Sequence, residues 1–395
     1  MRILCYAIDL PGHLDWGGYL PTAIELQRRG HQVLWVSGPG VKTNIQAANL
    51  PFVALPNPGW RHGNPPLPKN LSPKQKEIER QRRALTVWLY PPLVLAALQK
   101  LQHIARDFQP DVVISEPFAV AATLLAERHT WPLVIIGRPA QGPLSPNPKR
   151  LPNPTLPHVQ RLLKQAQLPG HYWDLERGQP RSPHLHIDFF SREWYADLPD
   201  IAPQTLFCGG RPAAMPQQHP ATNPPQILVT LGSTFTNDEA FFRIAAESAL
   251  LAAARAHIVT GKRTPHILNA LHQAPPGPAT ISQWIDYTQE FPHLSGIVHH
   301  GGMATTHSAL IHGIPQIVIP HAGDQFPQAA RVTQARVGYG IKAQDFTMQN
   351  APILLTDILW APDFAEKART MARHLHTLGG IPRAAQAIET LGNIS

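Results

Sequence analysis

The 395-residue chain is 43% hydrophobic and 15% charged, which excludes a disordered or fibrous protein; it exceeds the span of one hydrophobic core, so two domains of about 200 residues each are expected. Its two cysteines, Cys5 and Cys208, lack the spacing of a zinc or redox pair and fit a reducing cytosol. A formal net charge of +8 favours an anionic partner. Nucleic acid is set aside as that partner, because basic and aromatic residues do not interleave as in a known binding module.

The opening MRILCYAIDLPG has one Arg, a short apolar run and an Asp, so it reads as a buried first strand, Arg2 to Ile8, and not as a signal peptide. A helix from Pro21 to Arg29 follows, stopped by Gly30, and then a strand from Gln32 to Val36; together these form a βαβ unit. The alternation continues with a strand in Ala48 to Leu55, a helix from Leu93 to Asp107, a strand from Asp111 to Ser115, a helix from Ala119 to Arg128 and a strand from Leu133 to Ile136. Such alternation implies a parallel doubly wound α/β domain. Residues 211–226 are too rich in Pro and polar side chains to form an element, and they read as a linker. Beyond them QILVTLGST is a buried strand entering a glycine turn, and helices and strands alternate again to about Val337, with helical sequence past Pro362.

The expected organisation is therefore an N-terminal Rossmann-like domain over 1–210, the linker 211–226, a second Rossmann-like domain over 227–375 and a C-terminal helix over 376–395. Two such domains facing each other would put ligands at the carboxyl ends of their strands. The longest nearly apolar run, Trp88 to Leu98, contains two prolines and falls short of the roughly 20 residues a membrane span requires. Pro56 to Leu98 joins a Pro-rich loop, the basic run KQKEIERQRR and that apolar run, which suits either peripheral contact with an anionic membrane beside a greasy acceptor channel or a solvated helix face followed by core.

Residues able to grip a nucleotide sugar concentrate between Gly296 and Val332. A strand from Gly296 to His299 leads into His300, Gly301 and Gly302, with a helix expected to begin near Thr305. A strand, a glycine turn and a helix N-terminus form an anion site, because unpaired N–H groups and the positive end of the helix dipole converge there. His300 adds a side-chain donor. Thr305 and Thr306 suit either helix capping or contact with a phosphate oxygen. Downstream, the strand QIVIP ends in His321, Gly323, Asp324 and Gln325, where a carboxylate and an amide can bond sugar hydroxyls. His299, the neighbour of His300, should point to the opposite face of its strand and be a satisfied core residue. No HExxH or CxxC pattern gathers the remaining histidines into a metal site.

HHGG-x-x-TT, then HGIPQIVIP, GDQ and AARV resemble the donor motif of family 1 GT-B glycosyltransferases, bacterial UDP-glucosyl- and UDP-glucuronosyltransferase-like proteins among them. LGST, the opening PGH and the order of elements agree with that resemblance over most of the chain. It implies the GT-B fold, with two facing Rossmann-like domains and the C-terminal helix packing back on the N-terminal domain. It makes His300 and the following amides the diphosphate grip, Asp324 and Gln325 the donor-sugar contacts and Trp284 the base-stacking residue; the alternative for Trp284 is an ordinary core aromatic. Ser233 and Thr234 would face the phosphates. Two positions depart from the pattern. Ser308 stands where many members have a Glu for the ribose hydroxyls, which leaves dTDP-sugars open behind the UDP-sugars expected first. Met303 and Ala304 replace the usual Ala-Gly after the two glycines.

The loop DLPGHLDWGGYLP presents His13, and histidine, whose ordinary titration lies near neutral pH, suits proton removal from an acceptor hydroxyl. The family's base aligns with His13. The resemblance places the carboxylate that orients such a base at Glu116, one methylene longer than the more usual Asp, and Asp15 is a rival base by comparison with lipid-directed relatives. No DxD motif is present, so the carboxylate cradle for Mn²⁺ or Mg²⁺ is missing, and metal-independent, inverting transfer without a resident cofactor is expected. The expected acceptor is a hydroxyl of a small lipophilic molecule or a lipid, and the expected setting is the cytoplasm, with membrane association on its inner face as an extension. A nucleotide-sugar epimerase of the same fold would want further carboxylates, and a non-catalytic binding protein would not need His13 with Glu116.

Overall fold

The computed structural model describes residues 1–14, 18–61, 67–68, 70–144, 153–232, 237–261 and 264–392, with the backbone alone for Pro73, Glu77 and Gln81. The chain divides into two compact units, one of Met1–Phe189, Leu198–Cys208 and Ile381–Ser395, the other of Phe190–Asp197 and Gly209–Gly380.

The first unit contains strands β1 (Arg2–Tyr6), β2 (Gln32–Ser37), β3 (Phe52–Ala54), β4 (Val112–Ser115), β5 (Leu133–Ile136), a small hairpin of β6 (Trp173–Asp174) and β7 (Gln179–Pro180), β8 (Leu185–Asp188) and β9 (Thr205–Phe207). Its helices are α1 (Pro11–Leu14), α2 (Tyr19–Arg28), α3 (Lys42–Ala47), α4 (Pro73–Trp88), α5 (Pro91–Phe108), α6 (Val120–His129) and α7 (Leu156–Ala166). Seven strands form one sheet in the order β3-β2-β1-β4-β5-β8-β9, and every pairing in it is parallel. Both faces of a parallel sheet are covered, which is why RILCY and VVIS are apolar throughout instead of alternating. Leu4, Tyr6 and Val113 pack with Val94, Leu98, Leu101 and Leu124 of α5 and α6. Ile3, Cys5 and Ile114 point the other way, toward Leu26 of α2.

Trp88 to Leu98 resolves into the end of α4 and the start of α5, with Val94, Ala97 and Leu98 in the core. By length and composition Lys74–Phe108 is long and apolar enough to cross a membrane, but it is two helices, interrupted at Leu89 and Tyr90 ahead of two prolines.

The second unit has β10 (Gln226–Thr230), β11 (Arg255–Val259), β12 (Thr280–Ser282), β13 (Gly296–His299), β14 (Gln316–Val318) and β15 (Gly338–Gly340), in the parallel order β12-β11-β10-β13-β14-β15. Its helices are α8 (Glu239–Leu251), α9 (Pro265–Gln273), α10 (Tyr287–Glu290), α11 (Met303–His312), α12 (Gln325–Gln334), α13 (Ala351–Trp360) and α14 (Pro362–Thr377). Phe190–Asp197 belongs here because Arg331 of α12 holds Asp197 through two bonds of 2.7 and 2.8 Å and stacks 4.4 Å over Tyr195. Residues 209–225 contain no helix or strand.

The end of the chain is not one helix over 376–395. Gly379 and Gly380, both at positive φ, separate α14 from α15 (Gly380–Gly392). Ala384, Ala385 and Ile388 of α15 pack with Ile3, Cys5 and Leu26 of the first unit, so the terminal helix covers the N-terminal sheet.

In each sheet the strand order reverses beside the first strand, at β1/β4 and at β10/β13. Loops leaving adjacent strands there diverge to opposite faces and open a crevice at their carboxyl ends. His13 follows β1 and Glu116 follows β4; Gly232 follows β10 and His300 follows β13.

Candidate functional site

In the first unit, α1 carries His13 over the end of β4. Nδ1 of His13 is 3.5 Å from Oε2 of Glu116. Glu116 is fully buried yet well satisfied: Phe118 N–H donates to Oε2 at 2.7 Å and Ile8 N–H donates to Oε1 at 3.3 Å. The longer arm of Glu therefore spans from the backbone of two strand ends to the imidazole. His13 also lies against aromatic rings, with Phe118 at 5.7 Å and Trp60 at 6.2 Å between centroids, and Trp88 meets Phe118 edge-on at 5.3 Å. These three rings are only partly buried and wall the base with apolar surface. Asp15 lies outside the described residues.

In the second unit, β13 ends in a turn whose glycines have distinct tasks. Gly301 adopts φ +89°, a conformation L side chains rarely take. Gly232 and Gly302 flank the His300 ring so closely that a Cβ on either would come within 2.6 Å of it. His300 is 8% exposed, and its Nδ1 is buried without a hydrogen-bond partner among the described residues. Burial, together with the nearby rings of His299 and His321, holds its titration down to about 3, so at neutral pH it is an uncharged imidazole with one N–H to donate.

Helix α11 begins at Met303, two residues before the expected Thr305, with Gly302 as its N-cap and no side-chain cap. That corrects the capping role of Thr305 and Thr306, which lie inside the first turn. Thr305 Oγ1 is 3.2 Å from the Tyr287 hydroxyl, and Thr306 Oγ1 is buried without a partner among the described residues. The first intrahelical bond runs from Thr306 N–H to Gly302 C=O, leaving the Met303, Ala304 and Thr305 amides free of intrahelical partners. The Met303 sulfur accepts from Gln328 Nε2 at 2.7 Å.

The loop after β14 is closed by Gln325, whose Oε1 accepts from His321 N–H at 2.7 Å and Ala322 N–H at 3.1 Å. A donor-sugar contact from Gln325 must therefore use Nε2. Asp324 is exposed, and Ser308 is partly buried on α11. Trp284 is 64% exposed, so it is not a core aromatic. Ser233 and Thr234 lie outside the described residues. Among the described residues no three His, Cys, Asp or Glu side chains converge as metal ligands.

Residues 258–378 match the model of the erythromycin biosynthesis protein CIII-like C-terminal domain. The elloramycin glycosyltransferase of Streptomyces olivaceus is 24% identical over 389 residues, covering 96% of this chain and 94% of its own. The chain has the GT-B fold and is similar along nearly its whole length to glycosyltransferases of family 1. Among solved structures, the kitacinnamycin glycosyltransferase superposes with a TM-score of 0.77 at 22% identity, covering 99% of this chain and 98% of that one. The spinosyn rhamnosyltransferase complexed with thymidine diphosphate has a TM-score of 0.69 at 20% identity, covering 99% and 100%.

In this glycosyltransferase, several residues lie at the sites without a signal in the sequence. Phe118 and Trp60 beside His13 are separated from it by more than 40 residues in sequence, and only the fold joins them. Gly232 has a readable signal in the LGST turn, although its role as a seat for His300 does not follow from spacing.

Proposed function

We propose that this glycosyltransferase moves a hexose from a pyrimidine nucleoside diphosphate sugar to a hydroxyl of a flat, lipophilic acceptor, with inversion and without a metal. The observation that carries the reading is His300: a buried, uncharged imidazole seated between two glycines at the start of a ten-residue helix whose first amides have no intrahelical partner. Such an arrangement favours a diphosphate and stabilises it as it leaves, through fixed dipoles that need no reorganisation. With Nδ1 of His13 turned to Glu116, Nε2 is the nitrogen left to take the acceptor proton. A single displacement then inverts the anomeric carbon. An epimerase would want further carboxylates, and a binding protein has no use for that base.

For the nucleotide, the uridine reading gives way to thymidine as the preferred base and sugar. Ser308 supplies no carboxylate for a ribose diol, and the spinosyn rhamnosyltransferase, a structural neighbour, is complexed with thymidine diphosphate. Trp60, Trp88 and Phe118 favour an acceptor that presents an apolar face beside its hydroxyl.

Incubation with dTDP- and UDP-sugars and a panel of hydroxylated aglycones, followed by NMR of the product, tests the reading. It predicts an inverted glycoside formed in excess EDTA; sugar interconversion without an acceptor, or a retained anomeric centre, counts against it.

The proposal extends to a cytoplasmic enzyme that touches anionic membrane. Ile78 is 57% exposed on α4, with Lys74 and Arg82 one turn to either side and Arg82 paired with Glu79. Sedimentation with anionic liposomes at low salt tests it, and failure to sediment removes the membrane from the account.

A further inference from the structure

His299 is fully buried, next to the turn but outside the set of groups expected to meet a phosphate. Its Nδ1 accepts the Gly301 N–H at 3.2 Å, and its Nε2 is 2.9 Å from Oε1 of Gln316 on β14. A ring nitrogen that accepts an amide N–H carries no proton, so the neutral ring carries its single proton on Nε2 and donates it to Gln316. Turning the Gln316 amide around would set its NH₂ against Nε2 and leave a neutral ring with two accepting nitrogens and no proton, which imidazole cannot be. Burial keeps the ring neutral, with its titration lowered to about 4. Gln316 is itself fully buried, at the register position facing Ile297 across the β13/β14 pair.

The Gly301 N–H is therefore committed to His299 and does not face the anion, contrary to the expectation that it joins the grip. The other side of Gly301 is equally confined: a Cβ there would lie 2.7 Å from Val318 and 3.2 Å from the Gln325 carbonyl oxygen. We propose that His299 and Gln316 are positioning residues of the diphosphate turn, a strut running from β14 through the imidazole to the Gly301 amide. The strut fixes the left-handed step at Gly301 and so aims Gly302, His300 and the first amides of α11. It rests on the reading of this turn as a diphosphate grip.

The test uses the full-length protein, with calorimetric titration of dTDP and UDP and hydrogen exchange at the Gly301 amide without nucleotide. His299→Asn keeps an acceptor at the Nδ1 position, whereas His299→Leu removes it. Gln316→Leu releases the tautomer without touching the turn. The strut predicts that His299→Leu weakens nucleotide binding about fivefold to tenfold, the loss of one hydrogen bond, while His299→Asn stays within about twofold of the parent. Gln316→Leu should fall between them, with Gly301 exchange faster in step with the loss of affinity. Equal weakening in His299→Asn and His299→Leu, or a protected Gly301 amide in His299→Leu, overturns the strut. Should His299→Leu not fold, Gly301 exchange in Gln316→Leu decides. A parent protein that binds no nucleoside diphosphate defeats the grip and leaves the strut to be judged by Gly301 exchange alone.

Discussion

His13 Nδ1 and Glu116 Oε2 are 3.5 Å apart, and the carboxylate is held from behind by the N–H groups of Ile8 and Phe118. His13→Ala should lower kcat at least about 10²-fold with nucleotide affinity unchanged, the loss of a general base. Glu116→Gln keeps an oxygen for one of the two amides, sets its NH₂ against the other and loses the charge, and a loss on the order of tenfold in kcat is expected. Glu116→Leu orphans both amides in the interior and should lower stability by about 3 kcal/mol, read by denaturant unfolding. Steady-state kinetics and unfolding curves on the three variants check the set.

Gly302 tests the seating of His300. Its φ of −62° suits alanine, so the substitution acts only through the Cβ that would meet the ring at 2.6 Å. Gly302→Ala should weaken nucleotide binding about tenfold in the parent and hardly at all in His300→Ala, a coupling of roughly 1.4 kcal/mol in a double-mutant cycle. Additive losses would separate the glycine from the ring.

Acid sensitivity follows from three buried imidazoles. His186 in the first unit and His299 in the second are lowered to about 4, and His300 to about 3, each chiefly by burial. Their ordinary value is about 6.5, so the unfolded chain binds protons that the folded chain refuses. The stability tied to these groups is complete above about pH 6.5 and is lost as pH falls toward 4, at roughly 1.4 kcal/mol per group per pH unit. Urea midpoints should be level from pH 7 to 8 and drop steeply between pH 6 and 4; a flat midpoint across that lower range contradicts the assignment.

Trp284 offers an exposed ring to a base. Stacking of this kind is worth about 1–3 kcal/mol, so Trp284→Ala should weaken dTDP binding roughly fivefold to 150-fold. Nucleotide should quench the parent's tryptophan fluorescence more than that of the variant. Equal affinities would return Trp284 to the solvent.

Much of this is legible in the sequence because it depends on local pattern. Apolar strands followed by amphipathic helices fix the two doubly wound units, and the strand, glycine turn and helix around His300, Gly301 and Gly302 are read in that order. The start itself moves from Thr305 to Met303 because Gly302 takes the N-cap, which spacing alone does not separate from a threonine cap. The engagement of Gln325 with the His321 and Ala322 amides depends on how the loop folds back. The aromatic wall around His13 depends on long-range packing, as does the partition of Gly301 to His299, and neither leaves a period or a motif to read.

The claim at the centre is a diphosphate grip that needs no metal. Calorimetric titration of dTDP into the protein in excess EDTA, with His300→Ala alongside, addresses it most directly. The account predicts the same affinity with and without EDTA in the parent and a loss of about tenfold or more in His300→Ala, as one buried donor to a charged group is removed. Binding that disappears in EDTA, or that survives His300→Ala undiminished, would contradict it.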